Sequence, residues 1–339
     1  MPVLKINDES IRQAAEVLSG GGLVAFPTET VYGLGADAFN RAAVAKIFEV
    51  KNRPRFDPLI VHIAGLDMLE KTADLALLDP KARQRLSALA ENLWPGPLTL
   101  ILPKQKAVPD LVTSGLPTVA VRLPGLEAAQ KLITFFGGPV AAPSANPFGY
   151  ISPTRAEHVT ETLGDTIDLI LDGGPSNVGV ESTVLDISSD PARILRPGGV
   201  TAETIEVLIG KVAGPVAHDA VLSSPGLLKN HYAPRVPLSV YDNDLPGSLP
   251  DDPGSALLFF DGTSRDAWLS GRKTTEAKTI TVLSEKGNMP EAAAKLFEIL
   301  HDLDRPDIKR IHASLVPEEG LGIAINDRLR RAAADHSER

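Results

Sequence analysis

Cysteine is absent from all 339 residues. Disulfides, thiolate nucleophiles and cysteine zinc sites are thereby excluded. Long apolar runs are absent too: Leu98 to Leu102 and Ala256 to Phe260 fall far short of the ~20 residues a membrane helix needs. The opening residues Met1 to Asp8 lack the apolar stretch of a signal peptide. A soluble, cytoplasmic protein is expected. No block of like charge occurs, and the net charge of −9 argues against a general polyanion binder, whose affinity rests on a basic face. A small local basic pocket stays open. Familiar catalytic signatures are missing as well: there is no GxxxxGK(S/T), no HExxH, and the seven histidines are scattered. Neither a P-loop nor a dedicated metal cage is expected.

What is present is a substantial core. Apolar residues make up 43% of the chain, and its length suits about two domains of ~150 residues. Asp8 or Ser10 can cap a first helix with Ile11, Ala14, Ala15 and Leu18 at helical spacing, stopped at Gly20-Gly21-Gly22. Leu23 to Phe26 reads as a buried strand, and Asn40 caps a helix running into Lys51. Strands at Leu59 to Ile63, Leu98 to Leu102, Thr118 to Leu123, Val140 to Ala142 and Leu169 to Leu171 follow, with two more around Val184 and Ile194. Helices open at Pro80 and cover Glu127 to Phe135 and Thr154 to Leu163. Consecutive strands without intervening helices imply a mixed rather than strictly parallel α/β sheet. After about Gly210 a Pro- and Ser-rich connector reads as ordered but irregular. A second, smaller α/β unit then runs from Leu238, with strands at 238–241, 256–260, 279–283 and 308–313 and helices at 291–303 and 323–334.

Two short segments stand out. Lys51-Asn52-Arg53 offers two cations on one loop; Ser144-Ala145-Asn146 offers a hydroxyl and an amide just past a buried strand. Cations with neutral directed donors are what a triphosphate needs. The cations at 51, 53 and 55 also suit a helix C-terminus opposing its dipole. Pro54 and Pro58, however, stiffen the loop, and it feeds a buried strand, at the kind of sheet end where α/β proteins bind ligands. His62 within that strand fits a core position as well as a ligand contact. Arg122, set among Val119, Ala120, Val121 and Leu123, either faces solvent or is held for a carboxylate or phosphate. Gly33-Leu34-Gly35-Ala36-Asp37-Ala38 matches GxGxxA, but Thr28 to Tyr32 separates it from the preceding strand. It is therefore read as a turn needing positive φ.

These residues carry a resemblance. The first 200 or so positions resemble the YrdC-like family, and the full length resembles its longer two-domain form, the threonylcarbamoyl-AMP synthases. The matching blocks are Pro27 to Gly35, Lys51 to Pro54, Pro58 to His62, Trp94 to Pro97, Val121 to Pro124, Ser144 to Asn146 and Leu195 to Gly198. The connector from Ser224-Pro225-Gly226 through His231-Tyr232-Ala233-Pro234 and the helix at Gly320 to Ala332 match the longer form.

The resemblance implies a YrdC-like mixed twisted sheet with a large cavity over 1–210, a connector over the active site at 211–237, and a smaller Rossmann-like α/β domain over 238–339. It implies L-threonylcarbamoyladenylate synthesis from L-threonine, bicarbonate or CO2, and ATP, for modification of the tRNA adenosine beside the anticodon. Mg²⁺ would accompany ATP, and the product would pass to tRNA-modifying enzymes. Lys51, Arg53, Asp57, Thr118, Ser144, Asn146, Ser152, Arg196 and Tyr232 would serve ATP. Thr30, His62, Arg122, Ser182 and the Ala142 backbone would hold threonine.

Asp57 stands where the family often has Asn, so its carboxylate near phosphates would need Mg²⁺ or Arg55 to offset it. Asn52, where glycine is frequent, also tolerates unusual φ. Two other readings compete: a carbamoyl-adenylate-forming enzyme of hydrogenase maturation, and an RNA-binding module. Neither a zinc-finger segment nor a basic face is present to favour them. No motif in Leu238 to Arg339 carries chemistry, so that unit reads as a lid support or docking surface.

Overall fold

A computed structural model describes residues 1–214, 232–242, 244–247, 249, 252–271 and 275–334. The connector's residues 215–231, including Ser224-Pro225-Gly226 and His231, lie outside the described residues. So does the end of the chain from 335. The chain divides into two compact units. The first holds Met1–Phe148, Ser152–Asn177 and the described residues from Glu181 to 214; the second holds Gly149–Ile151, Val178–Val180 and the described residues from 232 onward.

The strands of the first unit are β1 (Val3–Lys5), β2 (Val24–Phe26), β3 (Gly33–Asp37), β4 (Ile60–His62), β5 (Leu98–Pro103), β6 (Thr118–Arg122), β7 (Val140–Ala141), β8 (Leu169–Asp172), β9 (Thr183–Asp186) and β10 (Arg193–Arg196). Its helices are α1 (Asp8–Ser19), α2 (Arg41–Lys51), α3 (Leu66–Thr72), α4 (Pro80–Leu93), α5 (Asp110–Thr113), α6 (Glu127–Phe136), α7 (Ala156–Leu163) and α8 (Ala202–Ile209). The strands form one mixed sheet in the order β1-β8-β2-β3-β7-β4-β6-β5-β9-β10. β4 and β6 run parallel, while β7 and β5 flank them antiparallel.

Local chemistry explains the helix ends. Asn7, rather than Asp8 or Ser10, caps α1. Its side chain accepts from the Ser10 amide at 2.9 Å and the Ser10 hydroxyl accepts from the Asn7 amide at 3.0 Å, a reciprocal box that satisfies both donors. Asn40 caps α2 by accepting from the amides of Ala42 and Ala43. α2 ends at Asn52 in the left-handed region, φ 52°, which turns the chain out of the helix directly after Lys51.

The Gly33 to Asp37 segment corrects an expectation. It is strand β3, paired antiparallel with β2 and β7, and neither Gly33 nor Gly35 has positive φ. Close approach explains the second glycine: a Cβ on Gly35 would lie 2.8 Å from the Phe26 ring and 2.9 Å from Val140 Cγ1.

Side chains alternate across the strands, and the two faces differ. Val61, Leu98, Leu100, Leu102, Val119, Val121 and Leu185 enter the main core with α1, α2, α4 and α6. The intervening residues Ile60, Ile101, Ala120 and Val184, with Leu195, form a small separate apolar cluster. By the same alternation His62, Thr99, Arg122 and Ser182 share that second face.

In the second unit β11 (Leu238–Tyr241), β12 (Ser255–Asp261), β13 (Thr279–Ser284) and β14 (Arg310–Ser314) form an all-parallel sheet in the order β11-β14-β12-β13. Helix α9 (Gly262–Ser270) joins β12 to β13, α10 (Met289–Leu303) joins β13 to β14, and α11 (Leu321–Ala332) follows β14. Parallel neighbours require such crossovers. Among the described residues no helix is long and apolar enough to cross a membrane.

Candidate active site

The second face of the first unit's sheet collects buried charge. Arg122, the last residue of β6, is held at three points. Its Nη1 donates to Thr30 Oγ1 at 2.9 Å, Nη2 to Glu29 Oε1 at 2.6 Å and Nε to the Gly96 carbonyl at 3.3 Å. Thr30 is fixed in turn by Thr28, whose hydroxyl lies 2.8 Å away and also donates to the Val31 carbonyl. Arg122 therefore faces neither solvent nor a vacant anion site alone, since an internal carboxylate already neutralises it. Burial raises the pKa of Glu29, but the charge and hydrogen bond of Arg122 outweigh this and leave it below the ordinary value.

His62 sits beside Arg122 in the parallel ladder, its ring edge-on to Phe26 at 6.1 Å. Burial and the Arg122 charge push its pKa down to about 3, so it is neutral at physiological pH. Its Nδ1 is enclosed and makes no hydrogen bond of normal geometry, the Ile60 and Val140 backbone lying close to the ring. Across β5, Thr99 and Ser182 share a hydrogen bond of 2.7 Å. Arg196 reaches the same serine, donating from Nη2 to its carbonyl at 2.9 Å and to its hydroxyl at 3.2 Å. A bulge between Ile194 and Arg196 sets that direction. The loop after β10 packs closely here: a Cβ on Gly198 would lie 2.3 Å from the Glu181 carbonyl oxygen. Glu181 accepts from Ser152 Oγ at 2.7 Å.

A second cluster joins the C-terminus of α2 to the loop after β7. Lys51 is 1% exposed, and its Nζ donates to the carbonyls of Ser144, at 2.5 Å, and Asn146. The amide of Phe148 returns to the Lys51 carbonyl at 2.8 Å. Burial, with the nearby Arg53 charge, holds the Lys51 pKa well below the usual lysine value, and Asp57 offsets this in part. Arg53 donates to the carbonyls of Asp57 and Pro58 at 3.1 and 2.9 Å and pairs with the Asp57 carboxylate at 2.8 Å. The carboxylate expected to need Mg²⁺ or Arg55 is thus met by Arg53, four residues before it, while Arg55 is exposed. Thr118 begins β6, two residues before the Ala120 that pairs with Ile60, at the strand end opposite Arg122.

The sequence-derived residues thus fall into two groups within the first unit, one around Arg122 (Thr30, His62, Ser182) and one around Lys51 (Arg53, Asp57, Ser144, Asn146). The Ala142 amide donates to the Ile60 carbonyl at 2.9 Å, so its N–H is committed to the sheet. Tyr232 belongs to the second unit, at φ 67°, with its ring centroid 5.5 Å from that of Phe297 and the Arg328 guanidinium 5.2 Å from its ring. Glu29 and Thr99 were not anticipated. A buried arginine demands a counter-charge, which is the signal that could have found Glu29. Among the described residues no group of three or more His, Cys, Asp or Glu side chains could hold a metal ion.

A mixed sheet with one apolar face and one face of buried cations and hydroxyls defines a substrate-binding α/β enzyme. Comparison with known proteins makes the class specific. Residues 16–198 match the Sua5/YciO/YrdC family profile, described as telomere recombination, and residues 200–334 match the threonylcarbamoyl-AMP synthase C-terminal domain. The chain is 41% identical to the threonylcarbamoyl-AMP synthase of Pyrococcus abyssi, over 97% of this chain and 95% of the relative. It is 42% identical to that of Bacillus subtilis, over 97% and 94%. The crystal structure of P. abyssi Sua5 complexed with L-threonine superposes with a TM-score of 0.86 at 38% identity, covering 98% of both chains. The chain belongs to the threonylcarbamoyl-AMP synthase family, transferases of the nucleotidyltransferase type that serve tRNA processing.

Proposed function

We propose that the first unit joins L-threonine, bicarbonate or CO2, and ATP into threonylcarbamoyl-AMP and pyrophosphate on the polar face of its sheet, for modification of the tRNA adenosine beside the anticodon. Full-length similarity to synthases, together with buried cations and hydroxyls gathered on that face, supports this reading most strongly. Threonine lies along Thr30, His62, Arg122 and Ser182, its carboxylate on the Arg122 fork. Ala142, its amide committed, contributes through its carbonyl. ATP takes Lys51, Arg53, Ser144, Asn146 and Arg196, with Asp57, Thr118, Ser152 and Tyr232 as further contacts. Residues 1–210 form the catalytic domain, 211–237 the connector and 238–339 the smaller domain.

The threonine ammonium first gives up a proton, and the free amine adds to CO2 to give a carbamate with release of a second. A carbamate oxygen then attacks the α-phosphorus of ATP in line, and pyrophosphate leaves with the electron pair of the broken P–O bond. No covalent enzyme intermediate is needed, so the protein's work is to orient reactants, neutralise charge and exclude water. Phosphates arriving beside Lys51 raise its depressed pKa and favour the charged form. Mg²⁺ accompanying the nucleotide would supply further charge neutralisation at its phosphates. Asp57, whose carboxylate is paired with Arg53, is the acidic residue that would lie nearest such an ion. The product passes on to tRNA-modifying enzymes.

The test is pyrophosphate release from ATP. Release is expected to require both threonine and bicarbonate, and to be lost in Lys51→Ala and Arg53→Ala. Release with neither co-substrate, or near-normal release from either variant, overturns the reading.

A further inference from the structure

The assignment above leaves two buried carboxylates of the candidate site without a role: Glu181, which accepts from Ser152, and Glu29, which pairs with Arg122. Glu29 lies in the loop between β2 and β3, and its carboxylate is shared between two fates. Oε1 accepts from Arg122, in a pair whose side chains are 4% exposed for Arg122 and 13% for Glu29. Oε2 is enclosed and makes no hydrogen bond of normal geometry, although the amides of Gly125 and Glu29 itself favour its charged form. The chain after β6 is shaped to this carboxylate, since a Cβ on Gly125 would stand 3.3 Å from Glu29 Cδ.

We propose that Glu29 reads the amino group of the amino-acid substrate. With Arg122 it forms an ion pair of zero net charge that accepts a zwitterion, carboxylate on Arg122 and ammonium on Glu29, and disfavours the corresponding hydroxy acid. This rests on threonine occupying the Arg122 face.

Charge balance carries the argument. Arg122 alone would welcome any carboxylate, and an anionic hydroxy acid would suit it as well as an amino acid. Glu29 cancels that excess. His62, depressed to a pKa of about 3, adds no charge at neutral pH. The remaining cation nearby, Arg196, is turned to Ser182 and on the same reading faces the nucleotide. An α-amino acid is itself net neutral with opposite charges on adjacent groups, the mirror of the Arg122–Glu29 pair. Buried polar atoms ordinarily find well-formed partners, and here Glu29 Oε2 makes no hydrogen bond of normal geometry, the Gly125 and Glu29 amides being its only neighbouring donors among those that lower its pKa besides Arg122. On that reading the ammonium of threonine, entering beside Arg122, would supply a donor to the Glu29 carboxylate.

The experiment is calorimetric titration of the full chain with L-threonine and with 2,3-dihydroxybutanoate of matching stereochemistry, in which a hydroxyl replaces the amine. Wild type is expected to favour threonine by at least about tenfold. In Glu29→Gln the two ligands should move in opposite directions, threonine weakening roughly 10- to 100-fold while the hydroxy acid holds or tightens. Glu29→Asp, which keeps the charge, should keep the preference. Parallel weakening of both ligands in Glu29→Gln would mean that the residue merely places Arg122, and it overturns the inference. Equal affinity of wild type for the two ligands overturns it without recourse to any variant. Wild type that binds threonine, with Glu29→Gln binding it equally well, sinks this inference alone. Wild type that binds no threonine sinks the functional reading with it.

Discussion

The two faces of β6 carry opposite chemistry within one five-residue strand. Val119 and Val121 enter the main core, while Thr118, Ala120 and Arg122 alternate with them onto the face that carries the ion pair, the hydroxyls and the neutral histidine. The same split repeats in β4, between Val61 and His62, and in β5, between Leu100 and Thr99. One face is bound by dispersion and burial, whose losses fall on stability. The other is bound by charge-assisted hydrogen bonds among groups that, on the proposed function, also face substrate, so that their losses should fall first on turnover. Neighbouring residues in one strand should therefore respond to substitution in different observables.

The largest expected effect separates the faces directly. Arg122→Ala leaves the Glu29 carboxylate buried without its partner and removes the fork proposed to hold threonine. Its kcat/KM for threonine, read by pyrophosphate release, should fall roughly 10²- to 10³-fold. Val121→Ala, one residue away, should cost about 1–3 kcal/mol in denaturant unfolding, with kcat/KM of the folded enzyme within about twofold of wild type. If Val121→Ala lost activity as steeply as Arg122→Ala, the division between faces would not hold.

The smallest effect concerns acid stability. The unfolded His62 protonates near 6.5, whereas burial and Arg122 keep the folded side chain neutral down to about 3. Between those values the unfolded state binds the extra proton, so stability falls as pH falls, by up to ~1.4 kcal/mol per pH unit from this group. His62→Gln should flatten the pH dependence of unfolding in that window. An unchanged slope would mean that the folded histidine titrates normally, in contact with water.

Much of this was legible in the sequence, and the exceptions have physical causes. α1, α2, α4 and α10 announce themselves by apolar spacing and by Asn, Asp or Pro at their starts. β3 was misread because its glycines look like turn residues. They are there because Phe26 and Val140 leave no room for a side chain at Gly35, a contact made only in the assembled sheet. α8 and α9 left little periodic trace, since α8 buries only Ile205 and α9 only Gly262 and Trp268. Arg122 stood out as a cation in an apolar strand. Its partner Glu29 is 93 residues away, and no local pattern links the two. Similarly, Arg53 rather than the equally basic Arg55 meets Asp57, because the turn after Asn52 directs Arg53 inward and leaves Arg55 exposed.

The most direct measurement of the central claim is the product itself. The full chain, incubated with L-threonine, ATP and ¹³C-bicarbonate, should yield threonylcarbamoyl-AMP carrying the label, detected by mass spectrometry and formed roughly 10²- to 10³-fold more slowly by Arg122→Ala. Failure of the wild-type chain to form the labelled adenylate, or its undiminished formation by Arg122→Ala, would contradict the account.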